Sequence, residues 1–143
     1  MKLPQTALEL KNEILISSDK TGESGDLRIR QLIRILDKVP NDIIVEGVME
    51  VFRTTDRPEK LYTDQKYAGR ILAELNPKFK GELIDILISV AGNWNKSVEE
   101  FPFWLRDNFG IEKVIQELDE FKNSAITEME IDKLNTIKWW LKI

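Results

Sequence analysis

One stretch limits what this chain can fold into more than any other: Leu83-Ile84-Asp85-Ile86-Leu87-Ile88-Ser89-Val90-Ala91. Coiled as a helix, it carries apolar side chains on nearly every side. Such a helix belongs in the middle of a packed set of helices rather than on the surface. Glu82, Asp85 and Ser89 are the polar exceptions, and spacings of three and four gather them on one narrow stripe. With Asp85 inside it and Gly92 closing it, the run does not reach membrane-spanning length. The remainder of the chain therefore has to supply helices that cover it.

The flanking periodicity does so. Residues 5–16 are expected to form a first helix with Ala7, Leu10 and Ile14 on one face. Residues 17–25 contain no apolar side chain and read as a mobile loop. Asp26 is placed to N-cap a second helix that reaches Lys38 and buries Ile29, Leu32, Ile33 and Leu36. Pro40-Asn41-Asp42 ends it and starts a third helix at 42–54, which buries Ile44, Val48, Val51 and Phe52. After a connection at 54–63, a fourth helix runs from Asp64 to Leu75 and stops at Asn76-Pro77; the apolar run is the fifth.

Further on, Ser97-Val98-Glu99-Glu100 matches a capping box. Either Ser97 caps a helix that Pro102 bends, or a single turn is followed by a helix with Pro102 in its first position; Gly110 ends it. Residues 111–122 have a clear amphipathic pattern in Ile111, Val114, Ile115, Leu118 and Phe121. Thr127-Glu128-Met129-Glu130 is a second capping box, opening a last helix with Ile131, Leu134, Ile137, Trp140 and Leu141 on its apolar side. The fold class is thus all-α, with about eight short helices. At 143 residues they share one core, in a single domain spanning 1–143.

Two segments repeat. Arg34-Ile35-Leu36-x-x-Val39 and Arg70-Ile71-Leu72-x-x-Leu75 are offset by 36 residues, and each precedes a proline turn that leads into an apolar helix. Residues 26–122 in this respect resemble the HEAT and armadillo class of helical repeats. The resemblance implies a right-handed α-solenoid of helical hairpins. Its first and last helices would cap the open ends, and its curved surface would be the binding site. An irregular helical bundle is the alternative architecture.

Composition removes whole classes of chemistry. The chain has no cysteine and no histidine. Disulfides, thiolate or imidazole metal sites, cysteine nucleophiles and histidine-dependent triads are therefore excluded. No cofactor is expected. Net charge is −4, which disfavours a general nucleic-acid binder. The amino terminus lacks the apolar core of a signal peptide, so a cytoplasmic location is the default and no membrane partner is expected.

What remains are binding features. Residues 112–132 hold seven carboxylates, among them Glu112, Glu117, Asp119 and Glu120, against two lysines; a surface of this kind attracts a basic partner. Trp94, in a loop, is the favoured exposed aromatic anchor, with Trp104 beside it. In the adjacent pairs Phe103/Trp104 and Trp139/Trp140, the members point about 100° apart on a helix, so one of each can lean towards solvent. The carboxylates Glu82, Asp85, Glu99, Glu100 and Asp107 have no fixed mutual geometry that would mark a catalytic or metal site.

The leading expectation is a non-enzymatic protein-binding module. One concrete version is a small acidic immunity-protein or antitoxin-like inhibitor of a basic partner. A HEAT-like nucleic-acid-processing protein using Trp104 with Asp107 is one alternative. A scaffold subunit that dimerises through the last helix is another. The sequence leaves the oligomeric state open.

Overall fold

The computed structural model describes residues 1–124 and 126–143, which contain helices and no strand. The helices are α1 (Ala7–Asp19), the single turn α2 (Thr21–Ser24), α3 (Leu27–Ile35), α4 (Asn41–Arg53) and α5 (Leu61–Leu75). They continue with α6 (Leu83–Val90), α7 (Glu100–Phe109), α8 (Ile111–Lys122) and α9 (Glu128–Leu141). Short 3-10 turns at Leu36–Lys38 and Pro58–Lys60 extend α3 and lead into α5.

The helices meet in an alternating order. In one row α4 meets α6 and α6 meets α8; in the other α3 meets α5, α5 meets α7 and α7 meets α9. The rows are joined where α4 crosses α5, α7 crosses α8 and α8 crosses α9. Successive helices α3/α4 and α5/α6, expected to pair as hairpins, pack less on each other than on these row neighbours. The first helix does not cap an end. α1 lies along α4 and also meets α3 and α5, with Leu10 and Ile14 fully buried. Gly47 permits this contact, because a Cβ there would stand 2.7 Å from Leu10 Cδ2.

The polar stripe on α6 decides which way that helix faces. Leu83, Ile86, Leu87 and Val90 are buried against the core, whereas Asp85 and Ser89 face solvent. Ile88 falls on the same outward stripe and is 60% exposed, so the apolar run is a row member with one open side rather than a fully enclosed centre.

Residues 17–25 are not a loop in the way their composition suggests. α1 continues to Asp19, with Ser17 and Ser18 buried and the Ser17 hydroxyl donating to the Glu13 carbonyl at 2.8 Å. A serine satisfied in this way stays inside a helix. The Thr21 and Tyr67 hydroxyls then share a hydrogen bond of 2.7 Å. Gly25, at φ 60°, makes the turn that follows. Asp26 does not cap α3. Its carboxylate instead accepts from Arg30 Nε at 3.0 Å and from an Arg70 guanidinium nitrogen at 2.9 Å.

The second connection is bolted down by Arg57. Its guanidinium reaches the buried Asp64 at 3.0 and 3.1 Å and Asp19, at the end of α1, at 2.7 Å. Arg57→Ala leaves Asp64 buried and unpaired and is expected to cost about 3 kcal/mol in denaturant unfolding. The hydrogen bond from Arg57 also holds the Asp19 carboxyl below its ordinary 3.8. The folded state therefore binds this proton less readily than the unfolded chain. Stability from the pair is present above the ordinary value and is lost as pH falls through the lowered one. Acid titration of stability should accordingly show a fall below pH 3.8 that is flattened in Arg57→Ala.

Candidate protein-binding surface

Residues 92–98 fix the geometry on which this surface depends. The fully buried Gln65 of α5 donates from Nε2 to the Asn93 carbonyl at 2.8 Å, and its Oε1 accepts from the Asn95 amide at 2.7 Å. Asn93 in turn donates from Nδ2 to the carbonyls of Phe52 and Thr54 at 2.7 and 2.8 Å, satisfying groups left over at the end of α4. Between these clamps Trp94 points inward.

Trp94 is therefore not an exposed anchor. It has no solvent exposure, and its indole donates to the Val98 carbonyl at 2.9 Å. Its ring stands 5.9 Å from Phe101, which lies 5.3 Å from Phe52. This arrangement also explains why the Ser97 capping box does not form. The Val98 carbonyl is taken by the indole and the Ser97 amide donates to Asn95 Oδ1 at 2.9 Å; α7 starts at Glu100, so Pro102 is its third residue rather than its first and still lies in the turn whose amides need no helical partner. The Thr127–Glu130 capping box at the head of α9 does form.

Trp104 is also removed from the surface. It is 2% exposed, and its indole donates to the Pro77 carbonyl at 2.9 Å. It is not presented for stacking on a base in partnership with Asp107. Of the acidic candidates on α8, Glu112, Asp119 and Glu120 face solvent, but Glu117 is buried and pairs with Lys113 at 3.3 Å. The buried stripe of α8 is Val114, Glu117, Leu118 and Phe121, and Ile115 is 37% exposed. The helix is thus rotated slightly from the face its apolar residues suggest, and no sequence signal distinguishes Glu117 from the other acids.

The exposed tryptophan is Trp139, 68% accessible near the end of α9. Its ring meets Trp140 edge-on at 4.8 Å, and Trp140 meets Phe103 of α7 edge-on at 6.3 Å. The Arg106 guanidinium lies 5.1 Å above the Phe103 ring. Within the adjacent pairs, Trp104 is buried beside a half-buried Phe103, and Trp139 is exposed beside a half-buried Trp140. Phe103 forms a ridge between two open grooves. One, of about 560 Å³, is walled by Trp139, Trp140, Lys142 and Ile143. The other, of about 570 Å³, lies between α5 and α7 with Glu99, Glu100 and Asp107 at its edge.

α9 is held in place from the clamped loop. Trp140 Nε1 donates to the Lys96 carbonyl at 2.8 Å, Lys96 pairs with Asp132 at 2.7 Å, and Lys133 Nζ donates to the Trp94 carbonyl. Across the seam, Lys138 pairs with Asp119 at 2.7 Å, which places the acidic face of α8 against the aromatic end of α9. Among the described residues no carboxylate group is arranged to hold a metal ion, and no helix is long and apolar enough to cross a membrane. No protein-family model, curated protein or solved structure matches the chain.

Burial pushes the pKa of Lys133 below its ordinary 10.5; Lys96 acts in the same direction and Asp132 opposes it. The folded state thus binds this proton less tightly than the unfolded chain, and stability rises as pH climbs from the lowered value towards 10.5. Urea unfolding of wild type and Lys133→Gln at matched pH is expected to show a difference that moves in favour of the wild type over that window.

Proposed function

We propose that this protein is a protein-binding module that meets a basic partner with the aromatic end of α9 and the adjoining acidic face of α8. The observation that carries the reading is Trp139, a tryptophan left 68% exposed on an ordered helix beside Trp140 and Phe103. A rigid aromatic cluster with a polar rim is the usual centre of binding energy in a protein interface. Glu112, Asp119 and Glu120 supply the carboxylate flank, which raises the encounter rate with a basic surface. A small acidic inhibitor of the immunity or antitoxin kind fits this description.

The test is calorimetric and kinetic titration against basic proteins encoded beside this chain's gene. Trp139→Ala is expected to weaken binding by about 30-fold or more through faster dissociation. Reversal of Glu112, Asp119 and Glu120 to lysine should slow association by about 10-fold at low salt and abolish its salt dependence. Unchanged affinity in both variants would remove this surface from consideration.

A further inference from the structure

The aromatic end of α9 is complementary to itself. A two-fold interface uses the same patch twice, so a projecting group needs its receptacle on the same face. Here the projecting Trp139 forms one wall of the groove of about 560 Å³ that Phe103, Trp140, Lys142 and Ile143 complete. The groove is preformed. Lys142 adopts φ 58°, and the Ile143 amide donates back to the Lys138 carbonyl at 3.1 Å, which turns residues 142–143 back over the last turn of α9. A receptacle already in shape loses less entropy when it is filled.

The charges are mixed in the same way. α9 contributes Lys138 and is followed directly by Lys142, and α8 contributes Asp119 and Glu120, exposed on the adjoining surface. The Lys138–Asp119 pair at 2.7 Å brings the two sets together, and Lys142 makes no ion pair among the described residues. A patch of one sign would repel its own copy; this one carries the cation and the carboxylates that two copies would exchange across a two-fold axis.

We infer that, without another partner, this face is covered by a second copy of the chain. Each Trp139 enters the groove of the other copy, and each Lys142 faces the α8 carboxylates opposite. The inference rests on the binding-surface reading above and adds regulation to it, because a basic partner then has to displace the second copy.

Sedimentation velocity from low micromolar to submillimolar protein tests this. The wild type is expected to pass from monomer to dimer, and Trp139→Ala, a change at an exposed position, to raise the dissociation constant by about 30-fold or more. Lys142→Glu and Glu120→Lys should each weaken the dimer, and the double variant should recover it. A wild type that stays monomeric, or a dimer indifferent to Trp139→Ala, overturns the inference and leaves the partner reading standing. A monomer that instead shifts a single-stranded oligonucleotide overturns it in favour of base stacking. If Trp139→Ala self-associates less yet binds the basic partner unchanged, the dimer is upheld and the partner reading falls.

Discussion

The buried amide clamp formed by Gln65 and Asn93 is the interaction on which the rest of this structure depends. A primary amide without partners in a core costs free energy, and here most of the donors and acceptors are engaged. Gln65 takes both ends of the Asn93–Asn95 backbone, and Asn93 takes the last carbonyls of α4. Three segments distant in sequence are thereby joined at one point: the end of α4, the first turns of α5, and the loop between α6 and α7. Loss of one amide leaves the buried Gln65 or the partly buried groups around it unpaired, so the junction holds as a unit.

The clamp also explains the direction of the surface aromatics. With residues 93–95 fixed, Trp94 is driven into the core against Phe101. The outward-facing carbonyls of Trp94 and Lys96 become acceptors for Lys133 and for the Trp140 indole. α9 can then dock in one rotation only. With Trp140 anchored by its own N–H, the next residue around the helix, Trp139, is left pointing away. The exposed indole is therefore a consequence of the hydrogen bonds that orient α9, and its ring rests edge-on against Trp140.

Much of the architecture is legible in the residue pattern. The helical class, the break at Asn76-Pro77, the cap at Thr127 and the amphipathic character of α8 all follow from local rules about backbone donors and helix period. Residues 17–21 depart from the same rules because the Ser17 and Thr21 hydroxyls donate to carbonyls one turn earlier, which keeps them helical where their composition suggests a loop. The site was less legible. Trp94 has loop neighbours and polar residues on both sides, which locally suggests exposure. Its burial depends on Gln65, 29 positions earlier, and on Phe101, which no local rule connects to it. Glu117 is hidden in the same way: its chemistry matches that of Glu112 and Glu120, and only the packing of α8 sets it apart.

The sequence by itself determined that the chain is all-helical, acidic, and without thiol or imidazole chemistry, because composition and helical period are properties of short stretches. It also allowed one member of each adjacent aromatic pair to lean towards solvent, since neighbours on a helix point about 100° apart. Tertiary structure alone decided which member that is, that α1 lies along α4, and that the acidic face of α8 adjoins Trp139. Those outcomes depend on which buried polar groups find one another across the core, and such pairings join residues tens of positions apart. No periodicity along the chain records them.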